Sequence, residues 1–176
     1  PHSLPLGLLM ADLHRRSGSL EAARRELEQL LRLHPSHQEL LQLAVLVDLQ
    51  DGRGQNALKR LMAQFALRPE GQRLELGLLL ADLHRQLDQS KAAADLYQQL
   101  AKESAEDVRA VIALAMLHQE QGNAAQVQRW LEQARLRRGN NDRPDPLIDD
   151  LAYRWGLRAA RVRAEQQRSE VPAPTP

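Results

Sequence analysis

The side chains best equipped for chemistry in this chain are its six histidines. Three of them, His14, His84 and His118, recur at one place in a repeating pattern. Imidazole nitrogens bind zinc when three or four ligands converge to about 2 Å from one ion. Residues at one place in successive helical repeats stand at least a helix-packing distance of about 10 Å apart. His14, His84 and His118 therefore do not share an ion and are expected to pack between helices. His34 and His37 lie closer together around Pro35, but no third ligand stands beside them. No metal site and no cofactor are expected. Carboxylates abound, yet their spacing singles out no acid–base pair. There is no Gly-rich phosphate loop, no His-Glu-x-x-His and no Gly-x-Ser-x-Gly. No catalytic residue is assigned, and an enzyme is the least favoured class.

The composition reads as all-α. Of 176 residues, 43% are hydrophobic, which suffices for a core, and only five are aromatic: Phe65, Tyr97, Trp130, Tyr153 and Trp155. Leu, Ala, Gln, Glu and Arg dominate, and these are good helix formers. So few aromatic and β-branched residues argue against a sandwich or barrel. The 24 basic and 23 acidic residues give a net charge of +1, too little to draw in nucleic acid or an anionic membrane. The lack of cysteine excludes disulfides and thiolate sites without fixing a compartment. No run reaches the ~18 apolar residues of a membrane span, so direct insertion is not expected. The first residue is Pro1 and the end is Pro-rich, which reads as an excised segment. Residence is expected in the cytoplasm, or in the periplasm or at a membrane through an upstream tether.

Internal repetition is the strongest signal. Residues 6–15 read Leu-Gly-Leu-Leu-Met-Ala-Asp-Leu-His-Arg, and residues 76–85 differ from them only in Leu80 for Met10. A shorter period of 34 separates Pro35 from Pro69. Ala115, His118, Gly122 and Leu131 follow Ala11, His14, Gly18 and Leu27 at a common offset of 104. Within the first unit Leu6, Leu9 and Leu13, then Leu20, Ala23, Leu27 and Leu30, recur at helical spacing. Gly18 between them can stop one helix in the left-handed conformation, and Ser19 can cap the next. Gly52 and Gly122 hold the same place, Asp88 holds it in the third unit, and Asn123 is the cap in the fourth. Ser36–Glu39 and Ser104–Asp107 have capping-box spacing. Helices are expected over 5–16, 20–33, 37–50, 55–67, 72–87, 91–103, 106–121, 124–137 and 146–168.

This pattern resembles the tetratricopeptide repeat. Its small eighth position is met by Ala11, Ala81 and Ala115, with Val45 departing. Its Ala at position twenty is met by Ala23, Ala57 and Ala93, with Val127 departing. Pro35 and Pro69 match its closing proline, which Ala105 and Gly139 replace elsewhere. Its usual tyrosine is replaced by His14, Asp48, His84 and His118. The resemblance implies an all-α fold, a right-handed α-α superhelix of helical hairpins. Four repeats are expected at about 4–36, 37–70, 71–106 and 107–139. After them come a capping helix within 140–168 and a Pro-rich tail over 169–176.

The resemblance also implies a non-catalytic scaffold or assembly factor that binds a peptide or helix of another protein in a concave groove. Carried over by position, that groove is lined by Leu8, Asp12, Arg15, Gln42, Leu46, Leu49, Leu78, Asp82, Arg85, Ile112, Met116 and Gln119. Leu8 and Leu78 serve equally well as core residues. The Lys and Asn that grip a C-terminal carboxylate in some relatives are absent, with Leu8, Asp12 and Leu43 in their places. Tyr153 and Trp155, on a helix opened by Asp145-Pro146, are candidate contacts, although a solvating cap with the stripe Ile148, Leu151, Trp155, Ala159 and Val162 is the plainer reading. Residues 129–168 carry ten Arg against six acidic residues, read as a solvated helix face. Two other readings compete: an RNA-binding helical repeat, opposed by the balanced charge, and a self-associating structural module that forms homo-oligomers.

Overall fold

The computed structural model describes residues 3–139 and 145–155. Among them the helices are α1 (Leu4–Arg16), α2 (Leu20–Leu33), α3 (Gln38–Gln50), α4 (Gly54–Leu67), α5 (Leu74–Gln86), α6 (Ser90–Glu103), α7 (Arg109–Glu120), α8 (Ala124–Arg137) and α9 (Pro146–Arg154). No strand occurs among the described residues. None of their helices is long and apolar enough to cross a membrane. The chain divides inside α6 into two compact units, residues 1–96 and 97–176.

One turn recurs in every hairpin. The backbone N–H of Ser19, Arg53, Gln89 and Asn123 donates to the carbonyl of His14, Asp48, His84 and His118 at 2.7–2.9 Å. The residue before each donor has positive φ: Gly18 at 79°, Gly52 at 70°, Asp88 at 58° and Gly122 at 71°. This is the Schellman closure, in which a left-handed residue turns the chain and satisfies the last carbonyls of the helix. Asn123 also caps α8 by accepting from the Gln126 N–H at 3.3 Å. Ser19 stands at the cap of α2 without a side-chain bond.

In the first unit α1 packs on α2, α2 on α3, α3 on α4 and α4 on α5. Ala11 and Ala23 are fully buried where α1 meets α2, which gives the physical reason for small residues there. They share a cluster with Leu27 and Leu30 of α2 and with Leu40, Leu43, Ala44 and Val47 of α3. A second cluster joins Leu41 and Val45 of α3, Ala57, Leu58 and Leu61 of α4, and Leu76, Leu80 and Leu83 of α5. Gly7 lets Leu30 approach closely, since a Cβ there would lie 2.7 Å from Leu30 Cδ1. The stripe Leu6, Leu9, Leu13 does not join either cluster. All three are exposed, and α1 instead turns Gly7 and Ala11 inward, with Leu4 and Leu8 leaning on the first cluster.

In the second unit α7 packs on α8, and α8 on α9. The buried residues include Val111, Leu114 and Leu117 of α7, Val127 and Leu131 of α8, and Ile148 and Ala152 of α9. The buried Asp145 carboxylate accepts from the N–H groups of Leu147 and Ile148 at 3.0 and 3.4 Å, and Arg138 Nε reaches it at 2.5 Å. Arg135 ties α8 to Asp149 of α9 at 2.5 Å.

Two capping-box expectations are corrected. α3 starts one residue later than Ser36 would require, and its cap position is His37, without a side-chain bond. α7 starts at Arg109, and Asp107 rather than Ser104 receives the Arg109 N–H, at 2.8 Å. Both serines lend their backbone carbonyls to an arginine instead. The expected helix over 146–168 is seen to Arg154; residues 156–168, with Ala159 and Val162, and the tail 169–176 lie outside the described residues.

Candidate functional site

The residues expected to line a binding surface fall into two sets. Leu8, Asp12 and Arg15 stand on α1, Gln42, Leu46 and Leu49 on α3, and Leu78, Asp82 and Arg85 on α5, all within the first unit. Ile112, Met116 and Gln119 stand on α7 of the second unit. Gln42 is exposed and Leu46 is 50% exposed, a large apolar side chain in water at the middle of α3. Leu78 is half-buried. Leu8 and Leu49 are half-buried too and lean on the first and second clusters. Met116 is 43% exposed, while Ile112 and Gln119 are half-buried.

The two Asp/Arg rungs are ion pairs one helical turn long. Arg15 Nη2 donates to Asp12 Oδ1 at 2.7 Å, and Arg16 Nε reaches Asp12 Oδ2 at the same distance. The hydrogen bond from Arg15, aided by the charge of Arg16 and opposed by burial, holds the Asp12 carboxyl below its ordinary range. In α5 the Arg85–Asp82 pair is looser, at 3.9 Å, and Gln86 stands where α1 has Arg16. Such rungs offer both charge signs on one helix face.

The structure also shows a charge cluster that the spacing did not announce. Asp48 is buried and accepts from Arg60 Nη1 of α4 at 2.8 Å. Arg24 of α2 is buried beside it, bonding Glu21 at 2.6 Å and Asp51 by a shorter contact, with its Nε 3.7 Å from Asp48. Arg53 closes the group on Asp51 at 2.8 Å. Despite the opposing effect of burial, the hydrogen bonds that Arg24 donates to Asp51 and Glu21 raise its affinity for its proton. One signal was legible: Asp48 is a lone acid in the run Ala44-Val45-Leu46-Val47-Asp48-Leu49, at the place usual for tyrosine.

The histidines stay apart in role. His14, His84 and His118 are half-buried, and His84 Nδ1 is 2.7 Å from Gln89 Oε1. Among the described residues no three His, Asp or Glu side chains are grouped to hold a metal ion. At the end of the chain Tyr153 is 71% exposed and Trp155 is half-buried.

The tetratricopeptide repeat family model matches residues 4–47. Those residues, α1 and α2 with the greater part of α3, are similar to a tetratricopeptide repeat. The helices found among the described residues fit about four such repeats followed by a capping helix, in the all-α, α-α superhelix class. A tetratricopeptide repeat protein from Parabacteroides merdae ATCC 43184 is similar at TM-score 0.60 and 19% identity, over 97% of this chain and 66% of that one. MamA is similar at TM-score 0.54 and 17% identity, over 98% of this chain and 97% of that one. A chain of the Cut9–Hcn1 hetero-tetramer of APC/C is similar at TM-score 0.58 and 19% identity, with 86% of this chain matching 29% of that one. No curated protein sequence is significantly similar. Repeats of this kind are generally non-catalytic interaction modules, which supports a protein-interaction or scaffold role in general.

Proposed function

We propose that the first unit holds an apolar segment of another protein, helical or extended, along the faces of α1, α3 and α5, and that the chain serves as an assembly scaffold. The observation that supports this most is Leu46, half in water in the middle of α3 with exposed Gln42 one turn before it. The Asp12–Arg15 and Asp82–Arg85 rungs on the flanking repeats would orient the polar edge of that segment. An amphipathic helix or extended apolar strand meets these requirements, because carbon is buried along one line and charge is paired beside it.

Affinity purification with the intact chain, read by mass spectrometry, identifies the partner. Leu46→Asp is then expected to leave the melting temperature within about 2 °C, since the side chain already meets solvent, while weakening the partner by tenfold or more, as loss of a central anchor does. Leu78→Asp separates the two uses of a half-buried leucine: lost binding with an unchanged melting point marks a contact residue, and collapse of the fold marks a core residue. Normal partner binding by a folded Leu46→Asp variant would rule this surface out.

A further inference from the structure

A cleft of about 380 Å³ opens in the first unit between α2 and α4. Glu28, Leu31 and Arg32 of α2, Pro35 after it, and Arg60 and Gln64 of α4 line it. A recess of about 10 Å³ shares Glu28, Leu31 and Arg60 with the cleft, and Arg24, Val47 and Asp48 help to close it. Such a volume holds one water-sized group. The surface of the cleft is mostly carbon, and its polar groups keep unused capacity. Arg60 gives Nη1 to Asp48 at 2.8 Å, and its other N–H groups have no partner among the described residues. Arg32 gives Nε to the Glu28 carbonyl at 3.3 Å. Arg24 is 9% exposed, yet its Nε bonds nothing and stands 3.7 Å from Asp48 Oδ1, beyond hydrogen-bond reach.

Charge decides what such a place can hold. Around it the acids Glu21, Glu28, Asp48 and Asp51 match the cations Arg24, Arg32, Arg53 and Arg60 in number. A charged guest would bring in a charge without a counter-ion, whereas a hydroxyl is neutral and both accepts and donates. We propose that the cleft takes a tyrosine side chain of a partner polypeptide. Its ring lies on Leu31 and Pro35 beside the Arg32 guanidinium, a cation that stacks well on aromatic faces. Its hydroxyl enters the recess, accepts from Arg60 and donates to Asp48. A benzene-sized ring occupies about 150 Å³. The rest of the cleft, with the side chains of Glu28 and Gln64 beside it, suits the backbone on either side of the tyrosine, which favours a residue of a chain over a free phenol. The cleft shares no residue with the Leu46 surface of the proposed function.

The test uses the intact chain, labelled for amide NMR, and N-acetyl-Gly-Tyr-Gly-amide as the probe. Saturable shifts are expected at the amides of Leu31, Arg32, Arg60 and Gln64, with half-saturation at about 1 mM, as for other small ligands. The phenylalanine counterpart should bind at least tenfold more weakly, because it leaves the groups of the recess unpaired. Arg60→Met should bring the tyrosine probe down to the affinity of the phenylalanine probe, which itself should change less than twofold. If that variant does not fold, the ratio of the two probes on the parent chain decides. Arg32→Ala, at an exposed place, should weaken both probes about threefold through lost stacking. Equal affinity of the two probes overturns the proposal, and so do shifts confined to other residues. Binding of p-cresol as tight as that of the tyrosine probe would make a free phenol the ligand, and tighter binding of p-toluate than of p-cresol would make it an anion; either result overturns the proposal.

Discussion

Asp48 Oδ2 accepts a hydrogen bond from Arg60 Nη1 at 2.8 Å across the α3–α4 hairpin, and the carboxylate is almost wholly buried. Arg24 approaches the same carboxylate from α2, with its Nε shut away from water and otherwise unbonded. One acid thus serves two helices that flank its own. Asp48→Ala would take this carboxylate from Arg60 while Arg24 keeps Glu21 and Asp51, and removing one partner of a buried ion pair costs about 3 kcal/mol. The unfolding midpoint in urea should fall accordingly. Replacing both Arg60 and Asp48 by Leu should recover much of the loss, because the stranded charge goes with its partner. A single variant as stable as the parent chain would show that the cluster contributes nothing.

Arg137 of α8 reaches three backbone carbonyls: Ala101 at 2.7 Å, Ser104 at 3.2 Å and Asp107 at 2.9 Å. These belong to the end of α6 and the loop after it, where carbonyls lack helical partners and a cation is favoured. In the first unit Arg68 does the same to Ser36, at 2.8 Å. Arg137→Ala should cost about 2 kcal/mol, the scale of charge-assisted hydrogen bonds whose acceptors are left behind. Arg137→Lys should restore less than half of it, since an ammonium cannot fork among three acceptors. Thermal unfolding of the two variants checks the order.

Asp88 alone among the hairpin turns carries a side chain at positive φ. An L-residue in the left-handed region costs roughly 1 kcal/mol, though less for Asp, and Gly gives back part of that in chain entropy. Asp88→Gly should therefore stabilise the chain by about 0.5 kcal/mol. Gly52→Ala should destabilise it by about 1 kcal/mol. Nothing crowds a Cβ at Gly52, so strain in the backbone is the whole of that effect. Denaturant midpoints of opposite sign are the expected readout.

Asp12 and Asp107 both ionise below the ordinary carboxylate range, held there first by hydrogen bonds from Arg15 and Arg109 respectively. A carboxyl with a lower folded than unfolded pKa adds stability above the unfolded value, near 3.9. That contribution is lost as pH falls through the folded value. Stability should therefore be flat in this respect from pH 7 to about 5 and decline below about 4. Asp107→Asn should lower stability at pH 7 and make the acid decline shallower. An unaltered slope would place the acid sensitivity elsewhere.

Helix positions and turns were legible in the letters because both are local. Spacing of three and four residues marks a helix whatever surrounds it, and a glycine at the end of the pattern supplies the left-handed residue that closes it. The hairpin order, Asn123 and Asp145 as caps, and the repeat itself followed from such cues. The two capping boxes failed because a serine with the right spacing competes with alternatives in the loop. At Ser36 and Ser104 the backbone carbonyl, taken by an arginine 32 and 33 residues away, was the partner that mattered.

Burial was another matter, since it depends on what stands opposite. Residues 6–15 and 76–85 are nearly the same word, and local physics folds both as helix. Yet Leu76 and Leu83 are sealed under α4, while Leu6 and Leu13 face water on α1. No property of the ten letters distinguishes them; among the described residues only the second copy has a second helix, α4, before it. The Arg24–Asp48–Asp51–Arg60 cluster has the same origin, because its members come from α2, α3, the turn after α3, and α4, and meet only once the hairpins stack.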